Sequence, residues 1–353
     1  MPITKTLRRP SDIVAAGLAP AARLADLEQV ASRYAVAITH DMACLIDPQD
    51  PVDPVARQFV PDLAELDPSA EESVDPIGDL THSPVAGVVH RYHDRVLLKL
   101  NHNCAVYCRF CFRREMVGPE GHGTLGSTEL DDAIGYIADH PEIWEVIVTG
   151  GDPLVLSPRR LGEVMARLST VQHVRIVRFH TRVPVVDPES ISPELIAALT
   201  SGGQTVYVAV HTNHARELTR SAREACARLS MAGIPLLGQT VLLKGVNDSP
   251  TALEDLFRAM VETRIKPYYL HHADLAPGTG HFRTSLQTGQ ALMSKLRGRV
   301  SGLCQPTYVL DIPDGHGKVP VGPVYLSDGG GSEVLTIEDP DGTVHSLPGH
   351  RSL

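Results

Sequence analysis

No apolar run in this 353-residue chain approaches the roughly 18 residues of a membrane-spanning helix, so no membrane partner is expected. Positive charge is also in short supply. The chain has 32 Lys and Arg against 42 Asp and Glu, a formal net charge of −10, and no nucleic-acid partner is expected. Six cysteines are too few for a disulfide scaffold at this length. No export signal is expected either. Lys5, Arg8 and Arg9 precede the run Ile13 to Leu18, but Pro10 and Asp12 interrupt it and Arg23 follows too soon. That stretch reads as a helix, and the expected compartment is the reducing cytoplasm. Internal repeats and low-complexity tracts are absent. At roughly 150 residues per domain, the length suits about two domains or one large α/β barrel.

The negative charge is concentrated. From Ile46 to Leu80 there are ten acids, one Arg and six prolines. Such a composition predicts an extended acidic arm over 46–84, after a helical segment over 1–45, rather than a packed unit. From Val96 the texture changes. Apolar runs occur at Val96–Leu100, Glu145–Thr149, Val174–Phe179, Thr205–His211, Leu236–Leu243 and Lys266–His271, with helical periodicity between them. Six β–α units of this kind predict an α/β fold, a partial (β/α)6 TIM-like barrel over 85–303. Strands that are apolar throughout fit burial on both faces. After Pro306 the chain turns Gly-rich and β-like, which predicts a small β-rich C-terminal extension over 304–353 with hairpins at Val334–Ile337 and Thr343–Leu347. Unusual polar residues follow the strands: the cysteines of 104–111, Gly150-Gly151-Asp152-Pro153, His180-Thr181-Arg182, His211-Thr212-Asn213 and Asp274. Ligand chemistry in parallel α/β folds gathers at C-terminal strand ends, so one active-site face is expected.

Three constellations carry chemistry. Cys104, Cys108 and Cys111 form a CxxxCxxC pattern, while Cys44, Cys226 and Cys304 stand alone. Thiolates are soft ligands suited to iron–sulfur clusters or zinc. Three of them leave one metal position open, and a structural zinc would take a fourth ligand such as His102. The spacing is not that of ferredoxins. The segment Asp311-Ile-Pro-Asp-Gly-His-Gly-Lys318 puts a Lys on a Gly-rich turn, where a compact amine can reach an aldehyde cofactor. Alone, that Lys reads as an exposed loop side chain. Arg91 and Arg95 flank Tyr92 and offer multidentate donors for a phosphate, or else are two solvated arginines.

Taken together, these segments carry a resemblance. The CxxxCxxC motif after a first strand, with an aromatic before its last Cys, is similar to that of the radical S-adenosylmethionine superfamily. The segments His90-Arg91-Tyr92-His93-Asp94-Arg95, Cys108-Arg-Phe-Cys111-Phe-Arg113-Arg114 and Thr149-Gly-Gly-Asp152-Pro153 resemble the lysine 2,3-aminomutases. So do the run from Gln239 to Asp248 and the stretch from Tyr268-Tyr269 through Asp274 to His281-Phe-Arg-Thr284. The resemblance implies a [4Fe-4S] cluster on Cys104, Cys108 and Cys111. It implies S-adenosylmethionine near Gly150, Gly151, Asp152, His211 and Gln239. Pyridoxal 5′-phosphate is implied at Arg91, Tyr92 and Arg95, with Lys318 as its Schiff-base partner. Arg113 is implied to take the substrate carboxylate, and Asp274 and Asp311 its distal ammonium, a pair that disfavours acidic side chains. The implied activity is isomerisation of L-lysine to β-lysine by 2,3-amino migration, with a reductant such as flavodoxin or ferredoxin and a homo-oligomeric assembly. The chain departs from the family's glycine run before the Lys, because Asp314 and His316 interrupt it. Two alternatives stand beside this reading. One is a related aminomutase that acts on another amino acid or supplies β-lysine for modification of elongation factor P. The other is a non-catalytic iron–sulfur redox or binding module.

Overall fold

The computed structural model describes residues 5–118, 123–328 and 334–348. Its frame is a nine-stranded sheet in sequence order. The strands are β1 Val88–Tyr92, β2 Arg95–Asn101, β3 Glu145–Gly150, β4 Ile176–Thr181, β5 Thr205–His211, β6 Leu236–Val241, β7 Ile265–His271, β8 Thr307–Ile312 and β9 Gly317–Pro320. Strands β2 to β8 run parallel. At the two edges, β1 and β9 run antiparallel to their neighbours. The sheet wraps around a cavity lined from both edges and from the strands between, so it is a barrel left open along one seam.

The crossover helices start on a repeated local signal. Ser157, Ser192 and Ser249 are each followed by Pro, and each Ser hydroxyl accepts from a backbone N–H three residues on, at 3.3, 3.2 and 3.2 Å. A Ser cap satisfies an orphan donor, and Pro at the first helical position loses no hydrogen bond there. These caps open the helices Pro158–Leu168, Pro193–Thr200 and Pro250–Glu262.

The partial (β/α)6 barrel stands in β2 to β7, while two of the expected segments are corrected. A seventh parallel strand joins the barrel. The seventh, β8, lies in the segment whose Gly-rich texture suggests a separate extension, and the helix Leu286–Leu296 is its crossover. The extension proper is a small antiparallel sheet of β10 Leu326–Asp328, β11 Val334–Glu338 and β12 Val344–Pro348.

The acid-rich stretch is likewise not an extended arm. Val55, Phe59 and Val60 join the same apolar core as Ile13, Leu27, Val96, Val146 and Val208. The acids Asp53, Glu65 and Asp79 are buried to 1% exposure or less. Each faces arginine: Glu65 faces Arg109 and Arg114, Asp79 faces Arg91 and Arg113, and Asp53 faces Arg216. Partners of opposite charge let the segment pack where composition alone favours solvation. Among the described residues no helix is long and apolar enough to cross a membrane.

Candidate active site

The cavity has a volume of about 580 Å³. Every residue assigned above to a cofactor or substrate lines it. Arg91, Tyr92 and Arg95 come from β1, β2 and their turn. Cys104, Cys108, Cys111 and Arg113 come from the loop after β2, and Gly150, Gly151 and Asp152 from the end of β3. His211, Gln239 and Asp274 come from β5, from β6 and from just beyond β7, and Asp311 and Lys318 from the β8–β9 hairpin. The cysteine loop follows the first parallel strand, and its geometry is set by close backbone contact. Gly150 has φ +115, and a Cβ there would lie 2.3 Å from the Asn101 carbonyl oxygen. A Cβ on Gly151 would lie 2.3 Å from that of Asn103. Only glycine lets the end of β3 press against the root of that loop. The Asp152 carboxylate accepts from the Thr181 hydroxyl at 2.7 Å, the Arg182 N–H at 2.7 Å and the Leu154 N–H at 3.0 Å. Its oxygens therefore tie β3 to β4 inside the protein.

The open seam is where Lys318 sits. Its N–H donates to the Tyr92 hydroxyl at 2.7 Å, joining the two edge strands that no ladder joins. The Arg95 guanidinium lies 3.8 Å over the Tyr92 ring, a cation–π contact that fixes the phenol. Asp311 and Lys318 are register partners across the hairpin, and Lys318 Nζ is ion-paired with Asp311. The residues that interrupt the glycine run do not disturb this register. Asp314 adopts φ 61, which Asp tolerates better than most, and Gly315 and Gly317 keep positive φ on either side of His316.

Several site residues escaped the sequence reading. Asp79 accepts from Arg113 Nε at 3.0 Å and Arg91 Nη2 at 3.1 Å. It takes the Nε–Nη2 edge of Arg113, and a guanidinium has a second edge. A signal was available: residues 91–114 hold six cations against one acid, the complement of the preceding stretch. Arg182, noted only as part of a polar triplet, places Nη1 2.8 Å from Cys108 Sγ, with Glu217 at 2.5 Å and Gln58 at 2.6 Å on Nη2. Burial works against the Arg182 charge, but Cys108 and Glu217 more than offset it. His180 and His271 also line the cavity.

Electrostatics divide the two acids at the seam. Burial, then the neighbouring Asp311 charge, pushes the Asp274 carboxyl up to about 7. Burial also acts to raise Asp311, but the neighbouring His271 and the paired Lys318 charge hold it down at about 2. Burial, then His271, drives His211 down to about 3, so its ring is neutral and can accept as well as donate.

An open parallel barrel with three free thiols on the loop after its first parallel strand is the architecture of a radical S-adenosylmethionine enzyme. The comparisons agree. The Radical SAM superfamily model matches residues 98–256, and the Lysine-2,3-aminomutase model matches residues 293–348. L-lysine 2,3-aminomutase of Clostridium subterminale is 42% identical over 291 residues, covering 82% of this chain and 70% of its own. The enzyme of that name from Acetoanaerobium sticklandii is 40% identical over 315 residues, covering 87% and 76%. Glutamate 2,3-aminomutase of Clostridioides difficile is 36% identical over 309 residues, covering 88% and 72%. The chain belongs to the lysine 2,3-aminomutase family, pyridoxal phosphate-dependent isomerases that move an amino group within one molecule using a [4Fe-4S] cluster and S-adenosylmethionine.

The residues present fit those groups. Cys104, Cys108 and Cys111 are free and line the cavity together. Burial pushes the Cys111 thiol up to about 11. His180 Nε2 and His211 Nε2 are buried without a hydrogen-bond partner on rings that line the cavity. Orphaned polar atoms of this kind fit a polar ligand.

Proposed function

We propose that this chain converts L-lysine to β-lysine by moving the amino group from Cα to Cβ. The observation that carries the substrate assignment is the ion pair of Lys318 Nζ with Asp311, in a cavity that Asp274 also lines. The Lys318 side chain ends in the same primary alkylammonium as free lysine, and it is held by Asp311, one of the two acids assigned to the substrate's distal end. A glutamate side chain would meet two carboxylates there and be repelled. Arg113, fixed on one edge by Asp79, takes the substrate carboxylate. Arg91 and Arg95 hold the phosphate of pyridoxal phosphate, and Lys318 bonds its aldehyde carbon. When bound, the cluster and S-adenosylmethionine supply the radical, and pyridoxal phosphate stabilises the migrating nitrogen's carbon framework. The residues of this chain bind, orient and exclude water around that chemistry. The single electron that starts it comes from a low-potential carrier of the flavodoxin or ferredoxin type.

The test is anaerobic assay of the reconstituted protein with lysine, ornithine, arginine, alanine and glutamate, with products separated as derivatised amino acids. β-Lysine should be the favoured product. If glutamate or alanine turned over best, the lysine assignment would fail while the radical class stood.

A further inference from the structure

His271 ends β7, and neither the sequence reading nor the proposed substrate contacts use it. It sits beside two groups that are used. Its Nδ1 is 3.3 Å from Lys318 Nζ and 3.7 Å from Asp311 Oδ2, and Nζ is ion-paired with that same oxygen. Three neighbouring strands each supply one corner of this triangle: β7 pairs with β8, and β8 pairs with β9. The side chain is 18% exposed, and the ring lines the main cavity.

The triangle has a chemical consequence. An ammonium has no lone pair and cannot attack an aldehyde. Lys318 Nζ is ion-paired with Asp311, and its use in bond formation needs a proton acceptor within reach of Nζ. Asp311 is a poor one, because its carboxyl is held at about 2. The His271 imidazole is the other acceptor within reach, with Nδ1 3.3 Å from Nζ. Burial and the Lys318 charge keep the ring neutral, so one nitrogen is free to accept.

We infer that His271 is the proton relay for Lys318, taking a proton from Nζ at Nδ1 while the Asp311 carboxylate balances the charge in either arrangement. The inference rests on the reading of Lys318 as the aldehyde-binding residue. The step balances without an oxidant or reductant. Nζ forms a double bond to the aldehyde carbon, and the aldehyde oxygen leaves as water with two hydrogens drawn from Nζ. His271 carries one of these to the departing oxygen and returns to its neutral state. The same relay, run backwards, frees Lys318 when a substrate amine takes its place. The groups that set the pH response of the ring are Lys318 on β9, Asp311 on β8, Tyr269 on β7 with its ring centre 5.6 Å away, His211 on β5 and His180 on β4.

The experiment uses the full chain stripped of pyridoxal phosphate, mixed with that cofactor over a pH series spanning neutrality. The rate of adduct formation is followed by absorbance, and the modified residue is identified by borohydride trapping and peptide mass. S-adenosylmethionine is omitted, so turnover plays no part. His271→Gln can hold a hydrogen bond but cannot carry the proton. It should slow capture by about a hundredfold, at the low end of general acid–base contributions. Its rate should also climb with pH in step with free amine, and the final adduct should still map to Lys318. Added imidazole should restore the rate to His271→Gly. An unchanged rate and pH profile in His271→Gln would overturn the inference, as would slowing that imidazole does not relieve. The cluster absorbance of each variant reports that the barrel is intact. If the unmodified protein itself gave no adduct at Lys318, the underlying reading of the cofactor site would fall instead.

Discussion

Single side chains in the seam of the barrel are set against one another by charge. Asp311 is held ionised by Lys318 and His271, while Asp274 is pushed towards neutrality. A carboxyl raised above its ordinary value of 3.8 to about 7 makes the native protein hold a proton that the unfolded chain has lost between those values. Its contribution to stability is full below that window and declines as pH rises through it. Binding of a second ammonium reverses the preference, because the cation favours the ionised form. Lysine binding should therefore release a proton below about pH 7 and tighten with rising pH until it levels off above it. Calorimetry in two buffers of different ionisation heat measures that proton, and Asp274→Asn should abolish it. Asp311→Asn should cost lysine binding about 2–5 kcal/mol, as for loss of one partner of a desolvated charge pair. S-adenosylmethionine binding should be nearly unchanged. Lys318→Ala should lose the pyridoxal phosphate absorbance yet keep the iron–sulfur spectrum, because the proposed sites for the two groups lie on different segments.

At the scale of elements, the acid-rich segment holds the cysteine loop from outside. Glu65 accepts from Arg109 Nε at 3.0 Å and is also paired with Arg114, and both arginines belong to the loop that carries the thiols. Burial alone would raise the Glu65 carboxyl, but the two guanidiniums hold it below its ordinary value. Glu65→Gln would leave two buried cations short of a counter-charge. Breaking a buried pair typically costs about 3–5 kcal/mol. The urea midpoint of the variant should fall accordingly with an unchanged slope, and its cluster should be lost more readily on exposure to air. The strand–helix alternation of this chain is legible without tertiary information, since apolar runs and the repeated Ser-Pro caps are local signals. The packing of residues 46–84 is not legible from that stretch alone. Its acids read as solvated until they are set against the arginines of 91–114, which contact them from tens of residues away.

On the scale of the whole molecule, the decisive feature is that the barrel does not close. Seven parallel strands leave a seam between β1 and β9, and the bond from the Lys318 N–H to the Tyr92 hydroxyl crosses it. A closed ladder would bury these backbone groups in the sheet. The open seam instead brings the Lys318 loop over the cavity, beside Arg91 and Tyr92. Tyr92→Phe removes the acceptor and leaves a part-buried donor unpaired, at a cost of about 1–3 kcal/mol. Hydrogen exchange at the Lys318 amide should accelerate, and pyridoxal phosphate should dissociate faster, with global unfolding little affected.

What the sequence determines by itself is whatever a short segment encodes. That covers the three thiols within eight residues, the Lys on its Gly-containing turn, the glycines after β3 and the β–α rhythm of the core. These are local because ligand spacing, backbone permissiveness and burial period are properties of a few neighbouring residues. Only the tertiary structure decides which distant groups meet. It places β8 within the barrel and commits the Asp152 oxygens to Thr181 and Arg182. It also supplies Asp79 to two arginines and puts His271 beside the pair of a lysine and its carboxylate. Each of these follows from strand order and from how the barrel curls, which bring together side chains that no sequence spacing relates.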